Sequence, residues 1–201
     1  MTNQITQSSL LPSRRDTALT VGKTYVGIDF GTTTTVVSIA SYDQSSNKIY
    51  TKAIRLNQKL IDGTMCSAEI IPTVIAWLAT PQRILVGEGA SELKYKLKKG
   101  KNVWFSFKME LGEDLGEKYY ESELRDVEPF FIRNPKDCAR VFFDYLKYLI
   151  LRYCEENGLS KDISYAVSIP ASFEANQRKD LLDALMAMCK RTGFSGAKQR
   201  E

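Results

Sequence analysis

The sequence predicts an α/β fold, a mixed sheet that begins as an antiparallel meander and is flanked by helices. Three segments of β-type composition follow one another near the start, and a helix, a strand and a second helix alternate near the end. With 201 residues, 43% of them hydrophobic and 26% charged, the chain can bury one good core, in one lobe or two.

Five segments rich in β-branched and aromatic residues are predicted as strands in the first half of the chain: residues 25–30, 34–42, 49–56, 70–78 and 84–86. Turns at Gly31 and over residues 43–47 join the first three strands into the meander. Thr80 and Pro81 supply the turn between the last two strands.

A first helix is predicted over residues 88–98, ending near Gly100. Five lysines crowd this region: Lys94, Lys96, Lys98, Lys99 and Lys101. They form either an anion-binding patch or a solvated face. The acidic, weakly periodic residues 114–128 that follow are predicted to lie at the surface.

The clearest helix opens with Asn134 as its N-cap and Pro135 at its first position, and Gly158 ends it. Residues 163–169 then alternate as a strand that stops at a proline, and residues 176–190 form a last amphipathic helix.

Composition limits the partners and the location of the protein. The net charge of +4 gives no case for nucleic acid, and no apolar run is long enough to cross a membrane. The four scattered cysteines favour core residues in a reducing, cytoplasmic compartment, and the absence of histidine removes the commonest general base. Residues 1–24 are predicted as a disordered tail, with a transit peptide as the alternative, and residues 195–201 as a polar tail.

Residues 27–38 carry the strongest functional signal in the chain. Asp29 lies in an apolar strand, where a carboxylate is costly unless something such as a hydrated metal ion pairs with it. A glycine and three threonines follow at the turn: Gly31, Thr32, Thr33 and Thr34. Such a hairpin brings backbone N–H and hydroxyl groups close to a phosphate, which indicates a site for Mg²⁺ and a nucleotide. The alternative is a plain hairpin with Asp29 at its solvated end.

The stretch Gly-Ile-Asp-Phe-Gly-Thr-Thr resembles the first phosphate-binding hairpin of the actin-like ATPase superfamily. It is most similar to the 70-kDa heat-shock protein family, with Phe30 in place of a leucine. Residues 72–75 with 86–87, and residues 167–173 with 177–178, resemble two further segments of that family in the same order.

The resemblance extends over residues 25–194 and implies the first lobe of an actin-like, ribonuclease H-like nucleotide-binding domain that binds ATP or ADP with Mg²⁺. It implies catalytic roles for Asp29, which would hold the metal through its water shell, and for Lys108, which would reach the γ-phosphate and the attacking water. The hairpin residues Gly31 to Thr34 would contact the β- and γ-phosphates. By the same resemblance, Pro170 and Arg178 would relay the nucleotide state to a peptide-binding domain.

The function implied is that of an ATP-dependent chaperone, with unfolded polypeptides and co-chaperones as partners of a complete protein only. Two alternatives stay open, a non-enzymatic interaction module that keeps the lobe fold and a fragment of another actin-like protein such as a sugar kinase. These 201 residues contain no counterpart of the family's Asn-Glu-Pro segment or of its second, Gly-Gly-Gly-Thr phosphate loop. We therefore expect weak nucleotide binding and little or no ATP turnover from the chain alone.

Overall fold

The computed structural model describes residues 23–43 and 48–190, which form ten strands and three α-helices. The strands are β1 (Thr24–Phe30), β2 (Thr34–Asp43), β3 (Lys48–Ala53), β4 (Leu56–Lys59), β5 (Met65–Ala68), β6 (Ile70–Pro72), β7 (Val74–Ala79), β8 (Gln82–Val86), β9 (Val103–Phe105) and β10 (Ile163–Val167). The helices are α1 (Glu88–Ser91), α2 (Pro135–Glu156) and α3 (Ala175–Lys190). The predicted α/β class is confirmed. The predicted tails lie outside the described residues, apart from Lys23 and Thr24. So do residues 44–47 of the predicted turn and residues 191–194 at the end of the family resemblance.

The largest sheet contains the predicted meander. Its strands follow the order β10-β1-β2-β3, and β6 pairs with the start of β2. The pairs β1–β2 and β2–β3 are antiparallel, whereas β10 runs parallel to β1, so the sheet is mixed. Two smaller sheets contain the remaining strands, one formed by β4 and β5 and the other ordered β8-β7-β9.

Helix α2 begins and ends where the sequence predicts. The side chain of Asn134 accepts a hydrogen bond of 2.9 Å from the backbone N–H of Asp137, and Pro135 occupies the first helical position. At the other end Gly158 has φ 64°, and the N–H of Leu159 bonds back to the carbonyl of Cys154 at 2.8 Å. Fourteen of its residues are buried, because the helix packs against the strands on one side and α3 on another.

Four phenylalanine rings pack together where α2 meets the end of β1. Phe30, Phe107, Phe142 and Phe143 are fully buried, and the contacting rings have centroids 4.8–6.4 Å apart in tilted or edge-on arrangements. Aromatic pairs in such geometries add stability beyond the area that they bury. We call these four side chains the aromatic wall.

Two predicted strands are each divided between two sheets. The predicted strand over residues 49–56 ends as β3 at Ala53, and β4 then starts at Leu56 in a different sheet. Ile54 and Leu56, on either side of this change of sheet, are both buried in the core. The predicted strand over residues 70–78 divides at Thr73, between β6 and β7.

The predicted helix over residues 88–98 is wrong beyond its first turn. α1 ends at Ser91, and turns follow as far as Gly100, which has φ 81°. The chain has to reverse here, because β9 returns to pair with β7. The prediction of a surface segment over residues 114–128 is wrong in part, since Tyr119 and Leu124 are buried in the main core.

Only part of the predicted cysteine burial is found. Cys138 and Cys154 are buried on α2, whereas Cys66 is half-buried and Cys189 is exposed. None of the helices within residues 23–43 and 48–190 combines the length and the apolar character that crossing a membrane requires.

Candidate functional site

The turn between β1 and β2 contains the predicted glycine and threonines. Phe30 pairs with Thr35 across the hairpin, so Gly31 to Thr34 form the connection, with Thr33 and Thr34 exposed and Thr32 half-buried. A Cβ atom on Gly31 would lie 2.0 Å from the carbonyl oxygen of Thr34. Only glycine therefore fits at the point where the two strands approach most closely.

Thr73 anchors this hairpin through two hydrogen bonds to its backbone carbonyls. Its hydroxyl donates to the carbonyl of Gly31 at 3.0 Å, and its N–H donates to the carbonyl of Thr33 at 2.8 Å. The hydroxyls of Thr35 and Thr73 are 3.0 Å apart, and Thr35 is the donor between them because Thr73 has given its one proton to Gly31. Thr35 and Thr73 are fully buried, so the contact between their hydroxyls is shielded from water.

Asp29 lies at the exposed edge of the hairpin. The burial pattern of β1 alternates, and Asp29 is its exposed position next to the fully buried Phe30. Its Oδ1 accepts a hydrogen bond of 2.8 Å from the hydroxyl of Ser168, and Oδ2 accepts none from the described residues. The expectation of a costly carboxylate inside an apolar strand is wrong, because the side chain points to solvent.

Lys108 is buried, with 8% of its surface exposed. Its ammonium donates to the carbonyl of Phe30 and lies 5.4 Å from the centroid of the Phe30 ring and 5.6 Å from that of Phe173. Burial lowers the pKa of Lys108, and the negative charge of Asp29 opposes that shift. The structure thus brings together the two residues that were predicted to be catalytic.

The segment around Lys108 is fixed at both ends. Phe107 and Leu111, on either side of Lys108 in the chain, are fully buried in the main core. Gly112 follows with φ 78°, and a Cβ there would lie 2.6 Å from the backbone nitrogen of Gln177 in α3. The N–H of Gly112 also donates to Oδ2 of Asp180 at 3.0 Å, which ties the segment to α3.

Pro170 lies in the loop that follows β10, and Arg178, in the first turn of α3, binds that loop. The guanidinium of Arg178 donates to the carbonyls of Phe173, at 2.8 Å, and Ala171, at 2.9 Å. The carbonyl of Pro170 accepts from the N–H of Phe173 at 3.1 Å. Both residues therefore shape the loop that places the Phe173 ring against Lys108.

Four exposed polar side chains lie on β1, on the hairpin and just after β10. We call Asp29, Thr33, Thr34 and Ser168 the polar rim; all four are exposed. A carboxylate, a charged amine behind it and several hydroxyls are groups that bind a metal-phosphate complex. Within the described residues no three Cys, Asp or Glu side chains gather as a direct metal site.

Three contributors were not assigned a role from sequence: Thr73, Ser168 and Phe173. Ser168 reaches Asp29 because β10 lies parallel to β1, with Ile28 paired to Val167, and this pairing partner cannot be read from a strand pattern. Thr73 is a single buried threonine between two strands. The sequence does mark Phe173 as an apolar residue just after a strand-ending proline, but its contact with Lys108 depends on the fold.

The lysine-rich region lies elsewhere and pairs mostly with acids. Lys98 contacts Glu121, Lys99 lies 3.2 Å from Glu110, and Lys101 lies 3.8 Å from Glu123. These contacts favour a solvated, charge-balanced face over an anion-binding patch.

A comparison of the chain with models of known protein families and with curated proteins found no match in either case.

Proposed function

We propose that this chain binds Mg²⁺–ATP at the polar rim, as the first lobe of an actin-like ATPase of the 70-kDa heat-shock type. The observation that carries the proposal is the placement of Lys108. A buried ammonium, contributed by a distant part of the chain, bonds the last carbonyl of β1 directly behind an exposed carboxylate and the Gly31–Thr34 hairpin.

Each group then has a defined role. Asp29, fixed on one side by Ser168, would hold Mg²⁺ through its water shell, and the metal when bound would neutralise phosphate charge. The hairpin, whose carbonyls are engaged by Thr73, would present N–H and hydroxyl groups to the phosphates. Lys108 would add positive charge from below in a poorly solvated environment, where electrostatic effects are strong.

The chaperone part of the proposal adds Pro170 and Arg178. Arg178 fixes the loop that contacts Lys108, so a change at the phosphate site has a physical route to the surface of α3. ATP or ADP is the ligand, and unfolded polypeptides and co-chaperones are partners of a complete protein. This part depends on the family resemblance.

One observation favours a second candidate, a binding module without turnover. The Lys108 ammonium is already engaged by a carbonyl and lies near two aromatic rings, so its present contacts suit a structural role as well as a chemical one. In that case the hairpin would serve as a recognition surface.

The deciding experiment is a titration of the 201-residue chain with ATP, in the presence of Mg²⁺ and in excess EDTA, followed by NMR. Because the rim is an open surface, we expect a dissociation constant on the order of 1 mM with Mg²⁺, and weaker binding without it. Chemical-shift changes should concentrate at residues 29–34 and 168.

Asp162→Asn is the matched control for Asp29→Asn, since Asp162 is exposed and, among the described residues, its carboxylate pairs only with Lys23, at 3.7 Å. Asp29→Asn should remove the Mg²⁺-dependence, and Asp162→Asn should leave it intact. No shift changes at the rim at 10 mM Mg²⁺–ATP, roughly tenfold above the expected constant, would refute nucleotide binding and favour the binding module.

A further inference from the structure

Lys108 lies near two aromatic rings, one from a strand and one from a loop. Phe30 is part of the aromatic wall, with its backbone inside β1. Phe173 lies outside any strand or helix, in the loop after β10, and is 7% exposed. The two ring centroids are at nearly equal distances from the ammonium, 5.4 and 5.6 Å.

A buried ammonium needs partners that replace water. Lys108 has three N–H donors, and the structure shows one engaged, with the carbonyl of Phe30. The negative face of an aromatic ring attracts a cation within about 6 Å, and the attraction grows as water is removed. Phe173 therefore compensates for part of the desolvation that lowers the pKa of Lys108.

The backbone hydrogen bonds of Phe173 fix its position in the loop. Both of its backbone polar groups are used, because its carbonyl accepts from Arg178 and its N–H donates to Pro170. Arg178 also bonds the carbonyl of Ala171, so one guanidinium fixes the loop at two points. The ring is thus held against Lys108 by the main chain.

We propose that Phe173 is a positioning residue that keeps Lys108 charged and in place behind the hairpin. The effect on Lys108 stands on the contacts above, and its consequence for nucleotide binding rests on the proposed function. Phe173 itself touches no phosphate.

The test changes the charge distribution of the ring at nearly constant shape. The full chain is prepared with 4-fluoro-, 3,5-difluoro- and 3,4,5-trifluorophenylalanine at position 173, which weaken the negative ring face step by step. The proton affinity of Lys108 is measured by a pH titration of the ¹⁵N-lysine NMR signals, with the Lys108 signal assigned by its loss in Lys108→Met. We expect the proton affinity to fall stepwise, by roughly fivefold across the series.

Phe131 provides the matched control. Its ring lies 4.0 Å from the guanidinium of Arg140 and 4.8 Å from that of Arg133, and Phe131 is not part of the site. The same substitutions at position 131 should leave Lys108 unchanged. An unchanged Lys108 across the series at position 173, or an equal fall with the series at position 131, would overturn the inference.

The nucleotide readout separates this inference from the proposed function. At the pH where wild-type Lys108 is half-protonated, a fivefold loss of proton affinity leaves about one sixth of the molecules charged, so Mg²⁺–ATP should bind roughly threefold more weakly. Equal affinity across the series would overturn the role of Phe173 in binding. If wild type binds no Mg²⁺–ATP but the proton affinity still falls, the contact with Lys108 is supported and the proposed function fails.

Discussion

The aromatic wall and the polar rim meet at two consecutive residues of one strand and differ in almost every physical property. Phe30 is fully buried among three other phenylalanines, and Asp29 beside it is exposed to solvent. Because successive side chains of a strand point to opposite faces, one backbone segment serves both regions. The difference teaches that the groups that stabilise the core and those proposed to bind Mg²⁺–ATP lie on opposite faces of β1, so that their effects are separable by mutation.

The largest expected effect is in the wall. Phe143→Ala removes a fully buried ring whose centroid lies 4.8 Å from that of Phe30, and should lower the free energy of unfolding by about 3–5 kcal/mol. Urea denaturation followed by circular dichroism measures this. Phe143→Leu should cost less, because it leaves a smaller cavity. A loss below 1 kcal/mol for the alanine variant would contradict the description of the wall as a packed core.

The hairpin glycine comes next. In Gly31→Ala the new Cβ would meet the carbonyl of Thr34 at 2.0 Å, so the backbone has to move, at a cost of about 1–3 kcal/mol. Thr32→Ala, one residue away and half-buried, is the control and should change stability little. Gly31→Ala should also weaken Mg²⁺–ATP binding. Wild-type stability in this variant would show that the turn has more room than the structure indicates.

A smaller loss is expected at the buried hydroxyl pair. Thr73→Val keeps the shape but removes the donor to Gly31 and leaves Thr35 without its acceptor, which should cost about 1–2 kcal/mol. The double variant Thr35→Val with Thr73→Val should recover part of this loss, since it removes both polar partners. Purely additive losses in thermal or urea unfolding would argue against the hydroxyl contact.

The lowered pKa of Lys108 sets the direction in which folding stability should change with pH. Its pKa in the folded chain lies below 10.5, so the folded state gives up its proton before the unfolded state does as the pH rises. The burial cost is thus present at neutral pH and is relieved as the pH rises through the lowered value. Stability of wild type relative to Lys108→Met should accordingly increase from neutral pH toward 10.5. A flat difference would show that the ammonium is solvated.

The smallest stability change is expected in the rim. Asp29→Asn removes an exposed charge and keeps a possible acceptor for Ser168, so the free energy of unfolding should stay within about 0.5 kcal/mol of wild type. Mg²⁺-dependent ATP binding should nevertheless disappear in the same sample. A large loss of folding stability in Asp29→Asn would show that the polar rim, like the aromatic wall, contributes to stability.

The sequence predicted most of the fold, because the decisive signals were local. The β-branched and aromatic composition of β1 and β2, and the Asn134 and Pro135 start of α2, depend on neighbours within one turn or one hairpin. The division of two predicted strands at Ala53 and Thr73 could not be foreseen, since each half joins a different sheet.

Of the candidate site, only Asp29 and the Gly31–Thr34 hairpin could be predicted from the residues themselves. Asp29 and the hairpin are contiguous in sequence, and Lys108 entered through a family resemblance alone. Its burial was not foreseen, because a lysine among many charged residues resembles a surface group until Phe107 and Leu111 are known to enter the core. Ser168 and Phe173 depend on the parallel pairing of β10 with β1, a long-range choice.

In the part of the chain that the structure describes, the guanidinium of Arg178 donates hydrogen bonds to the main chain of the loop after β10 and to none of its side chains. Ser172 and Glu174, beside the two carbonyls that Arg178 binds, are exposed. A substitution at either of these two positions would leave both hydrogen-bonding carbonyls in place. A fluorophore attached through Ser172→Cys, in a background where the exposed Cys189 is replaced by serine, should report on the surroundings of Lys108 while both Arg178 hydrogen bonds to the loop are kept.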